Sequence, residues 1–105
     1  MVIEWLKFKV SPELREEFIK KDEAIWTATL ATYPGFLGKE IWLDPTIADN
    51  IILIVHWQNR QQWKSVPLED LAMTEQQFAA AMGQDNYQMI ESKEFQVRKF
   101  PEIPQ

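Results

Sequence analysis

The chain has 105 residues, with 16 acidic against 11 basic side chains and a formal charge of −5. That length supports one domain around one core, and the acidic balance argues against nucleic acid, which selects basic patches. With no cysteine and one histidine, disulfides, iron–sulfur clusters and thiolate chemistry are excluded, and a zinc site is not expected.

Val2 to Val10 alternates, with Val2, Leu6, Phe8 and Val10 on one phase and Ile3, Trp5, Lys7 and Lys9 on the other. Period two predicts a strand. Ser11-Pro12-Glu13 supplies an N-cap residue, a first-turn proline and a carboxylate for the positive helix end. The helix it opens is expected to reach about Ala31 or Thr32, where Tyr33-Pro34-Gly35 suits a type II turn. Phe36 to Asp44 reads as the second strand, Thr46 to Asn50 as the loop of a long hairpin, and Ile51 to Gln58 as the third strand. A short helix around Asn59 to Val66 breaks at Pro67. A longer one covers Leu68 to Met82, with Leu71, Glu75, Phe78, Ala79 and Met82 at helical spacing. Gly83 ends it and Tyr87 to Lys99 reads as the fourth strand. Residues 1–99 thus make one domain, and Phe100 to Gln105 is an extended tail too rich in proline for regular structure.

The order β-α-β-β-α-β is the ferredoxin-like pattern, an α+β fold whose antiparallel four-stranded sheet carries both helices on one face. The other face is left bare. A solvated face would be polar at every second position, yet Ile51 to Val55 is apolar on both phases. The second strand repeats this, with Phe36 and Trp42 on one phase and Leu37, Ile41 and Leu43 on the other. A bare patch of that size exceeds what monomers tolerate, and pairing two sheets about a two-fold axis removes it. A homodimer is therefore expected, with Ile52, Ile54 and His56 in its interface. Alternation sends His56 and Trp57 to opposite faces, so His56 is read as an interface residue when Trp57 faces the helices.

Asp22 falls near the middle of the apolar face that Leu14, Phe18, Ile25, Trp26 and Thr29 define on the first helix. A carboxylate there is either a general base or ligand anchor in a pocket, or a structural group paired with a lysine or a backbone amide. Glu4 shares the apolar phase of the first strand and is a second pocket carboxylate, or else reaches solvent at the strand end. Five tryptophans are many for this length. Trp26, Trp57 and Trp63, with Phe18 and Phe78, either enclose an apolar cavity or simply fill the core. Arg60, Lys64 and Arg98 gate such a cavity's mouth or are ordinary surface charges.

The first strand, Ser11-Pro12-Glu13, Tyr33-Pro34-Gly35-Phe36 and the strand ending in His56-Trp57 together resemble the antibiotic-biosynthesis-monooxygenase (ABM) superfamily of dimeric α+β barrels. More narrowly, the chain is similar over nearly its whole length to a small cyanobacterial family of uncharacterised function within it. The resemblance implies a pocket between sheet and helices in each subunit, with Trp57 projecting into it. In the haem-degrading branch that tryptophan works with a first-strand asparagine and a histidine on the second helical region. Here Glu4 stands near the first position and no histidine follows His56, so haem degradation is not implied. The cofactor-free members act on quinol-like aromatic substrates, and other members have no demonstrated activity.

These readings converge on a cofactor-independent, metal-free pocket for a small apolar or aromatic ligand. Glu4, Phe18, Trp26, Trp57, Trp63 and Phe78 line it, and Asp22 and Trp57 are the candidate catalytic residues. A monooxygenase and a non-catalytic ligand-binding or stress-response dimer both remain open. No apolar run approaches the roughly 18 residues of a membrane span, and the N-terminus lacks a signal-peptide pattern, so a cytoplasmic protein is expected.

Overall fold

A computed structural model describes residues 1–101 of the chain. Four antiparallel strands, β1 (Val2–Val10), β2 (Phe36–Leu43), β3 (Asn50–Trp57) and β4 (Tyr87–Gln96), form one sheet in the order β2-β3-β1-β4. The first helical segment comprises α1 (Arg15–Asp22), a π-helical stretch (Glu23–Thr27) and α2 (Ala28–Leu30), with α3 (Arg60–Lys64) and α4 (Leu68–Met82) following β3. This is the α+β, ferredoxin-like arrangement expected from the element order. Among the described residues no helix is long and apolar enough to cross a membrane.

The ends of the elements follow local chemistry. Phe36 N–H donates to the Tyr33 carbonyl at 3.4 Å across a turn whose Gly35 has φ 91°, the left-handed backbone that a type II turn requires. Asn59 caps α3 by accepting from the Gln62 N–H at 2.8 Å. Ser11 does not cap with its hydroxyl: a 3-10 turn (Pro12–Leu14) intervenes, and the Leu14 N–H bonds the Ser11 carbonyl instead. β4 stops at Gln96, short of the predicted Lys99, because its partner β1 runs out; the last bond is from Val97 N–H to the Met1 carbonyl at 2.9 Å. The tail reading lies mostly outside the described residues. Its first member, Phe100, is exposed and outside regular structure.

Two bulges decide which side chains reach the helices. In β2, Phe36 pairs with Trp57 but Gly38, not Leu37, pairs with His56. The extra residue shifts the phase, so Phe36, Lys39, Ile41 and Leu43 share the helix-facing side and Trp42 lies on the open one. That corrects the simple alternation, which grouped Phe36 with Trp42. A second irregularity, with Met89 opposite Phe8 and Glu91 opposite Lys7, leaves Ile90 unpaired in β4.

Beneath the helices the core is two clusters. Phe8, Val10, Phe18, Ile51, Leu53, Phe78 and Met82 form one, and Val2, Leu30, Val55, Trp57 and Val66 the other. The open face is a patchwork and not the continuous apolar sheet expected. Register sets Trp42, Ile52, Lys7 and Glu91 in one row, Glu40, Ile54, Trp5 and Lys93 in the next, and Gly38, His56, Ile3 and Phe95 in the third. Glu91 bridges Lys7 at 3.3 Å and Lys93 at 3.2 Å, and both ammoniums stand over the Trp5 ring. Trp42 and Phe95 are each about half exposed.

Candidate functional site

A cavity of about 660 Å³ opens between the two core clusters, against the helix-facing side of the sheet. That size lies within the roughly 300–1,000 Å³ of small-molecule sites. Its apolar walls include Leu6, Phe8, Leu30, Leu53, Val55 and the indoles of Trp26, Trp57 and Trp63. Trp57 is fully buried, fixed edge-on against Phe36 with ring centroids 5.7 Å apart. Of the residues proposed to line a pocket, Glu4, Trp26, Trp57 and Trp63 do so. Phe18 and Phe78 do not. They pack edge-to-face at 5.4 Å, Phe18 also lies 5.3 Å from Phe8, and together they complete the core behind that wall. Periodicity marks a residue as inward-facing but does not say whether atoms or space lie beyond it.

Polar groups enter the cavity at few places. Asp22, at the end of α1, is 2% exposed, and Lys39 Nζ lies 2.6 Å from its Oδ2. The Lys39 ammonium, at charge-assisted hydrogen-bonding distance, is thus the close partner of this carboxylate. Burial raises the Asp22 pKa, and Lys39 offsets part of that rise. Lys39 escaped the sequence reading because straight alternation from Phe36 sends it outward. The signal present was Gly38, since a glycine inside a strand often marks a bulge.

Glu4 stands on the row Lys39, Val55, Glu4 and Glu94 that crosses the sheet beneath the helices. The Trp57 indole N–H donates to its Oε1 at 3.3 Å. Burial raises its pKa against that bond and the attraction of Lys39 and Lys64. On α4, Glu75 accepts from the Tyr87 hydroxyl at 3.1 Å and is also raised by burial, while Tyr87 is pushed up to about 12 by burial and this carboxylate. Tyr87 therefore stays a proton donor at neutral pH. Among the described residues no three His, Cys, Asp or Glu side chains gather closely enough to hold a metal ion.

The raised Glu4 value has a consequence for stability. Below the ordinary glutamate value of 4.5 the side chain is neutral in both folded and unfolded chains. Its favourable neutral burial is then fully present, and it is lost as pH rises through the folded-state value. Glu4→Gln, which cannot ionise, is expected to be more stable than the parent at about pH 8 and to lose that advantage at about pH 4. Urea midpoints of both proteins at each pH check this, and a pH-independent difference contradicts it.

Next to the cavity a shallower recess is lined by Trp63, Lys64, Ser92 and Glu94 among others. Lys64 Nζ sits 4.0 Å from the Trp63 ring centroid, and Arg60 bridges Glu94 at 2.6 Å, tying α3 to β4. His56 is on the opposite face of the sheet, its Nε2 2.6 Å from Glu40 Oε2. Ile52 and Ile54 share that face. Ile54 is only 2% exposed in the single chain, so its immediate neighbours already cover it.

The sequence model of the antibiotic biosynthesis monooxygenase (ABM) family matches residues 1–65. No curated protein sequence matches the chain. Among solved structures, SnoaB, a cofactor-independent oxygenase from Streptomyces nogalater, is 19% identical, with 94% of each chain covered and a TM-score of 0.65. A candidate antibiotic biosynthesis monooxygenase from Deinococcus radiodurans is 16% identical over 100% of both chains, with a TM-score of 0.67. Another, from Chloroflexus aurantiacus, is 21% identical over 95% of this chain and 96% of its own, with a TM-score of 0.63. At these identities the structures speak for the shared fold, while the family match covers more than half of the sequence. The chain belongs to the antibiotic biosynthesis monooxygenase family.

Proposed function

We propose that the protein is a homodimeric, cytoplasmic ABM-domain protein that binds a small aromatic molecule between sheet and helices and oxidises it without a cofactor. On the resemblance of its sequence we place it, as part of the same proposal, in a small cyanobacterial branch of that family. The observation that carries the proposal is a buried carboxylate, Asp22, at the wall of a tryptophan-lined cavity. Asp22 would take the proton of a phenolic hydroxyl, and burial, by raising its pKa, makes it a better acceptor for that task. Water-poor walls would then hold the anion beside dioxygen. For a quinol the overall change is one oxygen atom gained by the ring as a hydroxyquinone forms, and the other released as water.

Oxygen uptake across a panel of quinols is the direct test. Asp22→Asn is expected to lower turnover by roughly 100-fold or more, the usual worth of a positioned base. Absence of uptake with every quinol, or unchanged turnover in Asp22→Asn, rules out the oxygenase reading. A second reading, a non-catalytic binding domain of the same fold, is favoured by the partners these carboxylates already have: Lys39 for Asp22 and Trp57 for Glu4. It is distinguished by ligand binding without oxygen consumption.

A further inference from the structure

We infer that Lys39 is the anion-holding residue of the cavity, and that the ligand group it serves is a hydroxyl that arrives neutral and ionises in place. This rests on the reading of the cavity as an aromatic-ligand site and goes beyond it by assigning the charge chemistry to a particular pair. Lys39 and Asp22 both line the cavity, 2.6 Å apart, with side chains 6% and 2% exposed. A buried ion pair gives up much hydration and is weak evidence for stability alone. Its place at the wall of a space large enough for a ligand gives it a second use.

A phenol hydroxyl set beside the pair, within reach of both groups, can break its O–H bond and pass the proton to an Asp22 oxygen, leaving its own oxygen anionic against Lys39 Nζ. No electron moves, and the site holds the same net charge before and after. The transfer therefore adds no uncompensated charge to an apolar space, the step that usually forbids buried ionisation. A ligand that arrives as a carboxylate differs, because its charge is additional.

The surroundings sharpen that distinction. Glu4 on β1 and Glu75 on α4 also line the cavity, and Glu23 follows Asp22 in the π-helical stretch. Tyr87 on β4 faces the same space as a neutral donor. Lys64 on α3 reaches Glu4 only from the neighbouring recess. Lys39 is the one cationic side chain among the described residues of the cavity wall. Three carboxyls against one ammonium disfavour an incoming anion, whereas a neutral hydroxyl meets both a proton acceptor and a counter-charge.

The probe is 4-nitrophenol, whose phenolate is coloured, compared with nitrobenzene as a neutral analogue and 4-nitrobenzoate as an anionic one. Bound 4-nitrophenol is expected to show a phenolate-to-phenol ratio at least about tenfold above that in water at the same pH, a displacement of one pKa unit. 4-Nitrobenzoate should bind at least about tenfold more weakly than the phenol. The Asp22→Asn/Lys39→Met double variant, which keeps the pair neutral, should still bind nitrobenzene but return the bound phenol to its ionisation in water or below. Lys39→Arg should retain the coloured form. Binding of nitrobenzene with no change in the phenol's ionisation overturns the Lys39 assignment while leaving the aromatic cavity standing. An unaltered phenolate signal in the double variant, or equal binding of the benzoate, overturns it as well. If none of the three probes binds, the aromatic-ligand reading fails and this inference fails with it.

Discussion

Lys39→Met is expected to lower the unfolding free energy by roughly 3–5 kcal/mol, the cost of leaving a buried charge without its partner. The large value follows from where the pair sits: both side chains are almost wholly covered by protein, so hydration replaces only part of what the missing ammonium supplied. An exposed pair behaves differently. Arg60 and Glu94 are also 2.6 Å apart, but their side chains are 60% and 39% exposed, and loss of such a pair usually costs about 1 kcal/mol or less. Replacing both partners, as in Asp22→Asn/Lys39→Met, removes the stranded carboxylate and should recover most of the loss. Urea denaturation of the parent, both single variants and the double variant gives the full cycle. A fall in midpoint on the order of 2 M for Lys39→Met, with little change in slope, is the expected signature. If the single variant loses less than about 1 kcal/mol, Asp22 must have another route to neutrality, and the ion pair is not what holds the cavity wall.

The same pair marks the boundary of what the primary structure reveals. Asp22 was visible because helical periodicity is regular, and four residues after Phe18 the chain returns to the same face. Lys39 was hidden because strand periodicity has no tolerance: one extra residue at Leu37 moves every later side chain of β2 to the other face. The element order and the inward direction of Trp57 were legible, since they depend on long alternating stretches and on proline and glycine punctuation. The separation of Trp26, Trp57 and Trp63 at the cavity from Phe18 and Phe78 in solid core was not. It depends on how the two helical segments space themselves over the sheet, and the π-helical stretch that carries Trp26 has no clear composition signal.

Dimerisation through the open face of the sheet is the proposal whose disruption should have the second large effect. Ile52→Lys is expected to raise the dimer dissociation constant by about 30-fold or more, corresponding to a central contact worth about 2 kcal/mol. Ile52 is chosen over Ile54 because Ile54 is already covered within its own chain, while Ile52 lies between half-exposed Trp42 and Lys7. A new ammonium beside Lys7 adds repulsion to lost apolar contact, and because Ile52 is half-buried a urea midpoint of the variant monomer separates loss of assembly from loss of folding. His56→Ala should have a smaller effect in the same direction, by removing the imidazole that pairs with Glu40. It should leave ligand binding unchanged, since the cavity lies across the sheet. Sedimentation velocity over a concentration series separates a 12.4 kDa monomer from a species of twice that mass, and calorimetry with nitrobenzene follows the cavity. A parent protein that stays monomeric at every concentration refutes the dimer outright. An Ile52→Lys variant that dimerises like the parent shows that some other surface forms the contact. Loss of ligand binding in His56→Ala with dimer affinity intact would mean that communication across the sheet, and not assembly, is what His56 supports.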